Sequence, residues 1–224
     1  MSEIDAVVFD LDGLLIDTEQ VWDEVREALV HERGGRWNER AQADMMGMSS
    51  REWSRYLHEE LGLPEPPEDL NRLVVERMQE RYRDGLPVID DAIDAVSRIA
   101  GAWPLGLASS SNRPLIDLAL DRMGVADLFR ATVSSEEVES GKPAPDVYLE
   151  TARRLGVPPE RVAAVEDSAN GIRSARAAGM RVVAIPNVHF PPPEDVLELA
   201  DVRLESLAEL TPGAVESASS RRER

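Results

Sequence analysis

The chain contains no cysteine, which excludes a disulfide framework and thiolate-bound metals and suits a reducing compartment. Long apolar runs are also missing. The stretch from Ala6 to Ile16 is broken by Asp10 and Asp12, and nothing approaches the roughly 18 apolar residues of a membrane span. No cationic segment followed by an apolar core marks a secretory leader, so a soluble, cytoplasmic protein is expected. Histidine is scarce, and His31, His58 and His189 are too scattered to form a metal site. Cations are outnumbered, with 25 Lys and Arg against 43 Asp and Glu and a formal charge of −18. Nucleic acid and anionic membranes are disfavoured as partners by that charge. An anionic ligand would need local positive charge, from a metal ion or a well-placed lysine.

The hydrophobic share, 42% of 224 residues, suffices for a packed core. Short apolar runs predict strands at Ala6–Leu11, Pro104–Ser109, Thr132–Ser134, Val162–Glu166 and Val182–Ile185. They do not alternate strictly, as expected of parallel strands covered on both faces. Helical patterns separate them. One starts at Asn112 with Pro114 in its first turn and stops at Gly124; Ala144–Leu155 runs into Gly156, and Ser168–Ala178 into Gly179. This alternation predicts an α/β fold with a doubly wound, parallel sheet. From Thr18 to about Asp84 there is no strand signal, only helical patterns at Val21–His31, Ser50–Leu61 and Leu70–Tyr82. The expected organisation is a discontinuous core of residues 1–16 and 86–216, an inserted α-helical cap of residues 17–85, and a disordered tail from 217 to 224. Trp37, Trp53 and Trp103 read as packing residues.

The chemistry gathers at the strand ends, where ligands bind in an open α/β sheet. The first strand ends in Asp10-Leu11-Asp12-Gly13 after four apolar residues, so two carboxylates stand at the rim of a core, which is costly without a cation. The second ends in Ser109-Ser110-Ser111-Asn112, where hydroxyls and free backbone N–H groups at a helix start can cradle an anion. Lys142 stands in Ser140-Gly141-Lys142-Pro143-Ala144-Pro145, held by two prolines. The fourth strand ends in Glu166-Asp167. Together Asp10, Asp12, Glu166 and Asp167 offer hard oxygen ligands suited to Mg²⁺.

These four motifs, in order and covering nearly the whole chain, resemble the haloacid dehalogenase superfamily, in its helical-cap subgroup of phosphoglucomutase-like and sugar-phosphatase-like members. The resemblance implies a Rossmann-like core and a Mg²⁺-dependent phosphoric monoester hydrolase acting on a small phosphate ester. It implies that Asp10 is the nucleophile, forming an aspartyl-phosphate, and that Asp12 is the general acid and then base, its backbone carbonyl reaching the metal. It further implies that Asp10, Asp167 and Glu166 hold the metal, Glu166 directly or through water, and that Ser109, the Ser110 N–H and Lys142 bind phosphate oxygens. Asn112 joins this set as a candidate. Met45 to Arg51 resembles the cap segment that faces the substrate, which makes Arg51 a candidate for a second anionic group. Leu14 departs from the Thr or Val of many relatives.

Four activities compete. A dehalogenase needs neither Asp12 nor a metal site. A phosphate-accepting receiver domain leaves its Asp open and has no cap. A phosphosugar mutase of the β-phosphoglucomutase type is the serious alternative, but those mutases place His where this chain has Trp22, and Trp lacks a basic nitrogen. A monomeric phosphatase, with a sugar phosphate as substrate, is the expectation.

Overall fold

The computed structural model describes residues 4–38, 40–45 and 48–219. Six strands form one sheet: β1 (Ala6–Phe9), β2 (Leu105–Ser109), β3 (Phe129–Ser134), β4 (Val162–Glu166), β5 (Arg181–Ala184) and β6 (Val202–Arg203), in the order β3-β2-β1-β4-β5-β6. Every pairing is parallel. The chain winds outward from β1 in both directions, the arrangement that leaves a crevice beyond the carboxyl ends of the central strands. Register aligns those ends, with Phe9 opposite both Leu107 and Val165.

Successive strand residues point to opposite faces, and both faces are apolar here. Val7, Phe9, Leu105, Leu107 and Val165 pack on one side. The helices there include α5 (Ala92–Ala100), α6 (Arg113–Met123) and, near the end of the chain, α10 (Pro212–Ser217). Ala6, Val8, Val162, Ala164 and Val182 pack on the other, against α7 (Asp146–Leu155), α8 (Ala169–Ala177) and α9 (Glu194–Leu197). Two-sided burial explains the near-continuous apolar strands.

Among the described residues between β1 and α5 lie four helices, α1 (Glu19–Glu32), α2 (Ala41–Met45), α3 (Ser50–Glu59) and α4 (Pro67–Asp84). Each of the three longer ones presents a buried stripe, such as Trp22, Val25 and Leu29 on α1 and Leu70, Val74, Met78 and Tyr82 on α4. The two segments leading into and out of this insert run side by side: Ile16 bridges Val88, the Asp17 N–H donates to the Pro87 carbonyl at 2.8 Å, and the Ile89 N–H to the Leu15 carbonyl at 3.0 Å. Of the tail expected from residue 217, Ser217 ends α10 and 220–224 lie outside the described residues.

Candidate active site

Asp10 follows β1 directly, and Gly13, the residue after Asp12, turns the chain with φ 84°. A Cβ at Gly13 would lie 2.2 Å from Asp167 Oδ2, so only glycine permits both the left-handed backbone and the approach of Asp167.

Lys142 Nζ donates to Asp10 Oδ1 at 2.7 Å and to Glu166 Oε1 at 2.6 Å, and all three side chains are buried. The Lys142–Pro143 peptide is cis. Glu166 is saturated. Its Oε1 also accepts from the Tyr148 hydroxyl at 2.6 Å, and its Oε2 accepts from the Asp167 N–H and from the Ser168 N–H and hydroxyl. Asp12 has different company. Its Oδ1 accepts from Thr18 Oγ1 at 2.7 Å, and its Oδ2 from Ser111 Oγ at 2.7 Å and Ser109 Oγ at 3.3 Å.

These surroundings set the charges. Burial is the largest influence on Asp10; Glu166 and Asp12 add to it and Lys142 opposes it, leaving its pKa raised to about 7. Burial, then Asp10 and Glu166, push Asp167 well above the usual carboxylate range. Burial alone would lower the Lys142 ammonium, but Asp10 and Glu166 more than reverse this and hold it above the ordinary lysine value. Burial and the neighbouring Glu166 keep Tyr148 a phenol, able to donate.

One carboxylate oxygen each from Asp10, Glu166 and Asp167 lie within 4.8 Å of one another. Asp167 Oδ1 is buried with no hydrogen-bond partner. Three buried acids with one lysine as counter-charge fit a hard divalent cation. The fit falls chiefly on Asp10 and Asp167, because both Glu166 oxygens are already engaged. The side chain of Asp12 belongs to the hydroxyl cluster instead, which leaves only its backbone carbonyl for the metal role expected of it.

Asp10, Asp12, Ser110, Lys142 and Asp167 line one cavity of about 480 Å³, with Glu19 and Asn170 beside them and Phe190 and Pro191–Pro193 as an apolar wall. Ser109 lies beneath, fully buried. Two expected residues are elsewhere. The Asn112 amide donates to Glu136 at 2.6 Å and to Asn71 at 3.1 Å, so its donors serve another contact and not a phosphate. Arg51 is exposed on α3 and does not line the cavity; within the expected segment, Met46 and Gly47 lie outside the described residues. Sequence reasoning missed Ser111, Thr18, Tyr148, Glu19 and Asn187. Asn187 donates to the Gly13 carbonyl at 3.4 Å and accepts from the N–H groups of His189 and Phe190. The run of three serines was the available signal for Ser111; Tyr148 reads only as part of an apolar helix stripe.

A buried carboxylate at the switch point of a doubly wound sheet, backed by lysine and faced by a second carboxylate, defines an α/β hydrolytic or group-transfer enzyme. The chain belongs to the haloacid dehalogenase-like hydrolase family, whose description it matches over residues 4–179. It is 34% identical to hexitol phosphatase B of Escherichia coli (strain K12), covering 93% of this chain and 95% of that protein. It is 31% identical to the phosphorylated carbohydrates phosphatase of Thermotoga maritima, covering 79% and 82%. Among solved structures, CbbY from Rhodobacter sphaeroides in complex with phosphate superposes with a TM-score of 0.84 at 27% identity, covering 95% of this chain and 99% of that one.

Proposed function

We propose that this hydrolase is a Mg²⁺-dependent phosphatase that removes phosphate from a small metabolite, a sugar or polyol monophosphate, working as a cytoplasmic monomer. Residues 17–85 serve as a cap over a core of residues 1–16 and 86–216. The observation that carries this reading is the different equipment of two carboxylates in one cavity. Asp10 touches a lysine within an acidic trio, whereas Asp12 touches three hydroxyls.

In this reading Asp10 attacks phosphorus and the ester oxygen leaves, giving a phosphoryl-Asp10 intermediate. Asp12 protonates the leaving oxygen and, left ionised, takes a proton from the water that releases phosphate. Thr18 and Ser111, which make its two shorter hydrogen bonds, hold it for both steps. Ser109, the Ser110 N–H and Lys142 receive phosphate oxygens, and Glu166 with Tyr148 aims the ammonium. A Mg²⁺ held by Asp10 and Asp167, with Glu166 beside them, would supply charge neutralisation. The names of the phosphatase relatives support the substrate class. The mutase alternative is not favoured. Trp22, where mutases carry His, is buried, with its ring 6.0 Å from Trp53 and under the Arg26 guanidinium at 4.7 Å.

The test follows a panel of sugar and polyol monophosphates by phosphorus NMR with Mg²⁺, including β-glucose-1-phosphate with a trace of glucose-1,6-bisphosphate. Release of inorganic phosphate is expected, lost in Asp10→Asn. Interconversion of glucose phosphates without free phosphate would overturn the reading.

A further inference from the structure

We propose that Glu136 is a positioning residue that fastens the helical insert onto the two loops bearing Ser111 and Lys142. It sits in the 3-10 turn Ser135–Glu137 that follows β3. Its Oε1 accepts from both parts of the chain at once: from Asn112 at 2.6 Å, from Ser50 Oγ at 3.1 Å and from Asn71 at 3.5 Å, while the Arg113 N–H reaches Oε2 at 3.4 Å. Ser50 opens α3 and Asn71 lies on α4; Asn112 and Arg113 begin α6. Asn112 also donates to Asn71 at 3.1 Å, so the contact is a closed circuit of three side chains.

Both sides lead to the site. Asn112 adjoins Ser111, whose hydroxyl holds Asp12. The turn itself grips that loop, through Ser134 Oγ to the Ser111 carbonyl at 2.7 Å and Ser135 Oγ to the Ser109 carbonyl at 3.3 Å. Downstream, Gly141 precedes Lys142, and a Cβ there would lie 3.6 Å from Ser49 Cβ, at the N-terminus of α3. The insert therefore meets the core where the Asp12 hydroxyl cluster and Lys142 are anchored. Glu136 itself remains exposed, and hydrogen bonds to an exposed carboxylate are individually weak. Such a contact releases more readily than a buried ion pair would.

The kinetic arm rests on the phosphatase reading; the distance arm does not. Because the chain has no cysteine, Arg55→Cys on α3 and Arg130→Cys on β3 can carry a spin-label pair. Glu136→Ala should broaden the label distance distribution and lower kcat about tenfold, the weight of one or two hydrogen bonds, while leaving the melting temperature within about 2 °C. Glu136→Gln keeps an acceptor for Asn112 and Ser50 and should restore both readouts. A distance distribution that does not broaden, a wild-type kcat in Glu136→Ala, or a Gln variant as impaired as Ala overturns the proposal. A parent protein that turns over no phosphate ester sinks the phosphatase reading instead and leaves the distances to decide this one.

Discussion

Glu19 shows how one residue can carry the tension of an acidic cavity. It opens α1 and faces the same space as Asp12. Burial chiefly, then Asp12, raises its pKa to about 7, with Arg26 opposing. A carboxyl whose folded pKa is raised binds its proton more tightly folded than unfolded, so it lowers stability as pH climbs from its ordinary value of 4.5 toward 7. Glu19→Gln removes that titration. The variant should melt near the parent at pH 5 and several degrees above it at pH 8, because about 1 kcal/mol moves Tm by roughly 2–4 °C in a chain of this size. Paired melting curves at the two pH values check this, and an increment independent of pH would refute it. Glu19 was not singled out from the sequence, because one acid among 43 acquires meaning only when folding sets it beside Asp12.

At the scale of elements, much was legible. Val162–Glu166 is a strand with the expected bounds, and every other expected strand overlaps an observed one within three residues at either end. Two-sided apolar burial and glycine stops are local signals that survive folding. The two-residue edge strand β6 had no such signal, since its residues are half-buried or exposed. The site divides similarly. Residues at strand ends were readable from position, whereas Tyr148 depends on which helix face meets Glu166, and the destination of Asn112 depends on where α4 lands. Gly171 on α8 belongs with the unreadable features. A Cβ there would lie 1.9 Å from the Glu166 carboxyl carbon and from both its oxygens, and that carboxylate is pinned by Lys142 and Tyr148. Gly→Ala inside a helix ordinarily stabilises by up to about 1 kcal/mol. Gly171→Ala should do the reverse, costing about 1–3 kcal/mol as overpacking and lowering phosphatase activity at least about tenfold by dislodging Glu166. Calorimetry with a single-turnover assay reads both, and a raised melting temperature would contradict the placement.

For the whole molecule the governing fact is charge. A protein at −18 repels a phosphate ester at long range, and among the described residues lining the cavity Lys142 is the one cation, so it and a Mg²⁺ held by Asp10 and Asp167 would offset that field only at short range. Many enzymes acting on anions steer them in and lose rate as salt is added. This one should gain. The Debye length shrinks from about 30 Å at 0.01 M to about 8 Å at 0.15 M ionic strength, which screens the outer charges while leaving the hydrogen bonds of Lys142 to Asp10 and Glu166 intact, since those are buried. With Mg²⁺ held saturating, kcat/KM for a sugar monophosphate should rise about two- to fivefold over that range, with kcat nearly constant because bound substrate no longer feels the approach. Initial rates at several NaCl concentrations, repeated with a chaotropic and a kosmotropic salt of equal strength, separate screening from specific ion effects. A kcat/KM that falls with salt would mean that local positive potential at the cavity mouth outweighs the field of the whole chain.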